Sequence, residues 1–181
     1  MIGSSLEPRP GRVYIRAVTE GDRHEFLQLM RQSQHLHHPW IAPPLTDAAF
    51  TGYLARNRRD DHEGLLICQK ASDAIAGVVN INNIVRGSFL SASLGYYAGA
   101  PHAGQGLMRE GLELVKNYAF YTLGLHRLEA NIQPDNHRSL ALIRQCGFER
   151  EGMSPEFLFI DGQWRDHERW TAVHRRPNLR P

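Results

Sequence analysis

The chain is poor in the features that mark a protein for special surroundings. Only two of its 181 residues are cysteine, Cys68 and Cys146, and both sit in apolar stretches without metal-ligand spacing. That argues against a disulfide-stapled scaffold and a zinc ribbon. Two buried thiols in a reducing compartment fit this usage, with a single disulfide as the alternative. No apolar run approaches the roughly 20 residues needed to span a bilayer, so no membrane association is expected. The opening MIGSSLEPRPG has no apolar signal-peptide core, and the expected location is the cytoplasm. An excess of one charge is also missing. The 21 basic and 19 acidic side chains leave a net +2, too balanced to imply nucleic-acid binding by bulk charge. His35, His37 and His38 have no acidic or cysteine partner at a useful spacing and lie among prolines, so they read as a loop and no metal is expected. Internal repeats and low-complexity tracts are absent.

What remains is ordinary globular material: 41% hydrophobic and 22% charged residues, enough for one compact domain with a substantial core. Residues 1–11 form an arm rich in proline and glycine, 12–174 the domain, and 175–181 a basic tail holding Arg175, Arg176 and Arg180. The tail serves solubility, or an RNA surface in the alternative. RVYIRAV (12–18) alternates as a strand. Phe26, Leu27 and Met30 space as a helix face, and a second helix is expected over about 46–59. Strands follow at 64–69, 74–85 and 91–99. A long helix runs from about Gly106 to Leu123, with Met108, Leu112, Val115 and Ala119 on one face. HRLEANIQP is a strand, Asn136 caps a short helix ending at Gly147, and 148–173 is a hairpin turning at Asp161-Gly162. The alternation of strands and helices predicts an α/β or α+β domain.

Within this order PHAGQGLMREG (101–111) is unusual, because Gly104 and Gly106 stand at the mouth of a helix. Glycines there permit positive φ or close approach of a ligand. A helix N-terminus presents free N–H groups and partial positive charge to an anion. A Walker loop does not fit, because Gln105 and Gly106 occupy the positions of its Lys and Ser/Thr. A dinucleotide fingerprint does not fit either, because Arg109 occupies the third glycine position. By these letters alone, a tight strand-to-helix turn without a ligand stands beside a phosphate site.

The wider pattern is strand SLGYYAG, turn GQG, amphipathic helix, strand LEANIQP, the Asn-led helix PDNHRSLALIRQCGF, then EREG. It resembles the GNAT N-acetyltransferase superfamily, whose motif Gln/Arg-x-x-Gly-x-Gly/Ala overlays Ala103 to Met108. Ala103 and Met108 depart from it. HHPW (37–40), NNIVRGSF (82–89), LGY (94–96), GQGLM (104–108), HR-x-x-AN (126–131) and IDGQWRDH (160–167) resemble the ribosomal-protein-alanine N-acetyltransferase (RimJ-like) branch more closely, over roughly residues 12–174. The resemblance implies a single GNAT-type domain: a mixed twisted sheet with splayed central parallel strands and flanking helices.

The resemblance also implies acetyl-CoA as cosubstrate. Its pyrophosphate would lie on the N–H groups of Gly104, Gln105, Gly106, Leu107, Met108 and Arg109. Its pantetheine would pair with the backbone of Tyr96, Tyr97 and Ala98 like an added strand; the side chains of both tyrosines read as strand core. Ser139, one turn into the Asn136-led helix, would protonate the departing thiolate. Other members place a tyrosine where this chain has Ile143. The bland reading of Ser139 is an ordinary first-turn serine, and Asn136 is an N-cap with a possible second role at CoA. Two carboxylates compete as proton acceptor, Glu129 by strand alternation and Glu156 by resemblance, with Glu156 favoured; each could be a solvated strand-face residue. His137 and Arg138 could meet the 3′-phosphate or simply face solvent. Trp40 would anchor substrate, whereas Trp164 and Trp170 are core or edge residues. The resemblance implies as acceptor the N-terminal α-amine (Ala or Ser) of a protein, a ribosomal protein being the favoured one, with ribosome association allowed and a monomer or homodimer as the state. A small-molecule amine or antibiotic is the alternative acceptor. A CoA-responsive ribosome-assembly factor without activity is the further one.

Overall fold

Alternating apolar residues in seven strands build one mixed sheet in the computed structural model, which describes residues 11–175. The expected arm before Gly11 and the tail after Arg175 lie outside the described residues. In chain order the elements are β1 (Val13–Ala17), α1 (Arg23–Gln32), a single turn α2 (Gln34–His37), α3 (Asp47–Asn57), β2 (His62–Gln69), β3 (Ile75–Val85) and β4 (Ser91–Ala98). Then come α4 (Leu107–Asn117), β5 (Arg127–Ile132), α5 (His137–Gln145), β6 (Glu149–Ile160) and β7 (Gln163–Val173). The sheet order is β1-β2-β3-β4-β5-β7-β6. Every neighbour is antiparallel except β4 and β5.

Strand alternation sends apolar side chains to both faces, and each face is covered by helices. On one, Met108, Leu112 and Val115 of α4 and Ile143 of α5 pack on Ile67, Val79, Ile81, Leu128 and Ala130. On the other, Phe26 and Met30 of α1 and Phe50 and Tyr53 of α3 pack on Leu66, Val78 and Tyr97. Each fully buried side chain of this size contributes about 1.5–3 kcal/mol of transfer free energy. Tyr96 belongs to the α4/α5 face and Tyr97 to the α1/α3 face, as neighbours on a strand must. Gly111 lets α4 approach β2: a Cβ there would fall onto Cγ1, Cγ2 and Cδ1 of the fully buried Ile67.

Helix ends follow local chemistry. Thr46 Oγ1 accepts from Ala49 N–H at 3.2 Å to start α3. The helix expected to reach Leu123 is α-helical only to Asn117 and continues as a wider π turn over Tyr118–Thr122. Cys68 and Cys146 are both free and buried, so the disulfide alternative is not formed.

Candidate active site

Three local features converge at the C-terminal ends of β4 and β5. The first is the loop before α4. Gly104 and Gly106 have φ of 73° and 80°, and Gly106, at ψ 0°, is the N-cap in left-handed conformation, where a side chain is strained. The first intrahelical bond from this end runs from Glu110 N–H to Gly106 O at 3.2 Å. The N–H groups of Leu107, Met108 and Arg109 therefore have no helical acceptor. Arg12 fixes the loop: its Nη2 donates to Gln105 O at 2.9 Å, and its Nε and backbone N–H each donate to Glu110 at 2.7 Å. Positive charge, free N–H groups and a side-chain-free backbone make this a seat for an anion.

The second feature is a gap in the sheet. Pairing of β4 with β5 stops at Leu94 and Ala130. Gly99 N–H donates to Ala76 O at 2.8 Å, so by antiparallel alternation the groups of Tyr97 and Gly95 also turn to β3. Those of Tyr96 and Ala98 turn to the gap. The expected strand-like pairing at Tyr97 is thus corrected: its main chain already serves β3, and its side chain is buried in the α1/α3 core. His37, itself buried, donates Nε2–H to Ala98 O at 2.8 Å, leaving the Ala98 N–H and both Tyr96 groups facing the opening.

The third feature is a cleft of about 90 Å³ at the gap, lined on its α4/α5 side by Tyr96, Asn136 and Ser139. Tyr96 Oη and Ser139 Oγ are 2.7 Å apart. Burial holds the Tyr96 hydroxyl well above the usual tyrosine range, against the opposing pull of its bond to Ser139. The Tyr96 hydroxyl therefore stays protonated beside that of Ser139. Asn136 Oδ1 accepts from Ser139 N–H at 3.2 Å, so its capping role and its place on the cleft coexist. On the other side stand Trp40 and Ile41 from the loop after α2, Asn131, Gln133 and His167. Asn131 Oδ1 and Gln133 Nε2 are buried without a partner among the described residues. Such atoms are costly unless a ligand or water meets them.

Neither carboxylate singled out from sequence lines this cleft. Glu129 does leave the Leu128 face, as alternation predicts, but Arg127 claims its carboxylate with two bonds of 2.9 Å. Asn131, one step further along the same face, lines the opening together with Ile132. Glu156 lies exposed at φ 46° on a bulge where the β6–β7 register shifts between Ser154 and Leu158. Its N–H donates to Asp166 Oδ1 at 2.8 Å. Sequence reading missed the Tyr96 side chain, Asn131, Gln133 and His167. Asn131 was findable from the same alternation, and His167 as a lone ring in an alternating strand.

The remaining candidates divide as their surroundings dictate. Trp170 is core and Trp164 is 60% exposed on the hairpin, T-shaped against Phe159. His137 and Arg138 face solvent. Among the described residues no cluster of three His, Cys, Asp or Glu could hold a metal ion, and no helix is long and apolar enough to cross a membrane. A larger hollow of about 720 Å³ opens at the opposite ends of the strands. Among its lining groups Asp61 pairs with Arg59 and with His62 at 2.7 Å, and it holds none of the residues above.

Residues 12–149 match the acetyltransferase (GNAT) domain family. The chain is 34% identical over 166 residues to the [ribosomal protein uS5]-alanine N-acetyltransferase of Escherichia coli, covering 86% of this chain and 84% of that one. It is 26% identical over 159 residues to spermidine N(1)-acetyltransferase of Vibrio cholerae, covering 86% and 89%. Its fold is similar to Mycobacterium smegmatis RimJ in complex with CoA-disulfide, at TM-score 0.81 and 26% identity over 90% of this chain and 82% of that one.

Proposed function

This chain belongs to the acetyltransferase (GNAT) family, and on that premise we propose that it moves the acetyl group of acetyl-CoA onto the N-terminal α-amine of a protein beginning with Ala or Ser. A ribosomal protein in the cytoplasm is the favoured acceptor. The observation that carries this reading is a cleft lined by residues from both faces of the sheet, with a hydroxyl pair on one side and an exposed apolar hairpin near the other.

On the first side, the N–H groups from Gly104 to Arg109 receive the pyrophosphate, and the Tyr96 and Ala98 edges align the pantetheine arm as a strand would be aligned. Asn131 and Gln133 offer an acceptor and a donor to polar groups entering the cleft. Ser139, bonded to Tyr96, hands a proton to sulfur as the thiolate departs. Glu156 remains available through water from the hairpin bulge.

On the second side, His38 Nε2 approaches Asp161 Oδ2 at 3.5 Å, so the loop and the hairpin tip meet beside the opening. The hairpin exposes Phe157, Leu158, Phe159 and Trp164. Such a patch is what an extended peptide requires and a small amine does not. A polyamine acceptor, the reading the spermidine relatives favour, calls for carboxylates, and none lines the cleft. An α-amine needs only modest deprotonation, with a pKa of about 7.7–8.0 against about 10.4 for lysine.

The test is a panel of acceptors at fixed acetyl-CoA: peptides starting with Ala or Ser, the same peptides N-terminally blocked, and spermidine. Turnover of the free peptides and silence of the others is expected. Preference for spermidine would move the function to small amines.

A further inference from the structure

We propose that His167 takes the proton of the attacking amine, a role that rests on the acetyl-transfer reading above. Its side chain is 2% exposed, yet it lines the same cleft as Ser139 and Tyr96. Cross-strand register explains how it arrives there. Asn131 pairs with Arg169 across β5 and β7, so the ring two residues earlier lies on the same face, opposite to that of the buried Trp170 and Leu128. The acceptor surface of Trp40 and the hairpin lies on that face as well.

The ring is also oriented. Nδ1 lies 2.9 Å from Arg165 O. A carbonyl can only accept, so Nδ1 carries the hydrogen and Nε2 keeps its lone pair. Nε2 has no hydrogen-bond partner among the described residues, and the residue lines the cleft. Phe157, on the β6 bulge, closes the other side of the ring with centroids 5.8 Å apart. Burial lowers the His167 pKa below its ordinary value, against the raising influence of the Arg165 carbonyl and of Asp166. The imidazole is therefore neutral, as a proton acceptor must be, at neutral pH. Asp166 is the charged group acting on it, and Ser154, its partner on β6, is uncharged. Tyr96, Ser139, Asn131 and Gln133 share the cleft with it.

The step balances as follows. The amine nitrogen bonds to the thioester carbon, and the carbonyl π pair moves to oxygen. Nε2 accepts the N–H proton of the resulting ammonium. The oxyanion re-forms C=O and expels the thiolate, which takes the proton of the Ser139–Tyr96 pair. Solvent carries the proton from His167 back to that pair, so amine and thioester become amide and thiol.

The experiment compares wild type, His167→Gln and His167→Ala on an Ala-initiated peptide, with acetyl-CoA affinity measured separately. Loss of a general base predicts kcat down by about 10²–10⁴-fold with acetyl-CoA affinity kept. Imidazole should restore His167→Ala in proportion to its free-base concentration, which a merely structural role would not produce. In wild type, kcat should hold from neutral pH downward and fall only below the ordinary histidine value. Wild-type kcat in His167→Gln overturns the proposal, as does a folded, acetyl-CoA-binding His167→Ala that imidazole leaves inactive. If neither variant folds, a wild-type kcat without that acidic fall overturns it. A wild type inactive on the peptide sinks the α-amine reading instead, and the variants are then compared on the amine it does acetylate.

Discussion

At the scale of single residues, the site depends on partners that one side chain cannot reveal. Ser139 was singled out because its place after Asn136 resembles a family pattern, and the structure sets it on the cleft beside Tyr96. Its partner Tyr96 was read only for its backbone, because adjacency of β4 and α5 is a tertiary fact. Glu129 shows the reverse. Alternation took it to the correct face, and the guanidinium of Arg127, two residues earlier, then occupied it. The Ser139–Tyr96 bond of 2.7 Å makes a quantitative prediction. Ser139→Ala should lower kcat with unchanged acetyl-CoA affinity, since the donated proton matters as thiolate forms. Tyr96→Phe should do the same, and the double variant should be little worse than either, because both break one relay. Single-turnover rates with calorimetric acetyl-CoA affinities check this; additive losses would separate the two hydroxyls.

At the scale of elements, hydrophobic period located nearly every strand and helix, and the departures have physical causes. The π turn after Asn117 keeps the same apolar face, so periodicity does not mark it. The bulge at 155–157 is invisible to alternation because it inserts residues without changing their character. The bulge nevertheless decides that Glu156 faces solvent and that Phe157 meets His167. The N-terminal turn of α4 carries the cofactor prediction. Gly106→Val puts a β-branched residue at φ 80° and presses on Arg12 Nη2, 3.2 Å from the Cβ position. The fold should survive this change at the surface, while acetyl-CoA binding is lost by calorimetry. Binding at wild-type strength would remove the anion from this turn. The other end of the same argument is packing. Gly111→Ala should destabilise by about 1–3 kcal/mol through overpacking against Ile67. Combining it with Ile67→Ala should cost less than the sum of the single changes in denaturant unfolding, because both act on one space.

At the scale of the whole molecule, one parallel pair in an otherwise antiparallel sheet creates the cleft. Separation of β4 from β5 beyond Leu94 opens the cleft, and its lining comes from both faces of the sheet. The sheet order could not be read from the strands themselves. The family resemblance supplied only the splayed central parallel pair, because order and register depend on contacts distant in sequence. The far edge is tied by Arg127, which bonds Glu129 on its own strand and Glu151 on β6. Arg127 foremost, then the Thr171 hydroxyl, pulls Glu151 down to about 2 from the ordinary 4.5. A depressed carboxylate stabilises above its unfolded value and loses that contribution as pH falls through the folded one. The Tm gap between wild type and Glu151→Gln should therefore close between pH 4.5 and about 2; a gap constant across that window would leave the pair without weight. The central claim, acetyl transfer to an α-amine through this cleft, is tested most directly on one peptide with a free N-terminal Ala and an internal lysine. Mass spectrometry of the product after incubation with acetyl-CoA should place the acetyl group on the α-nitrogen and leave the lysine free, whereas acetylation of the lysine alone would contradict the account.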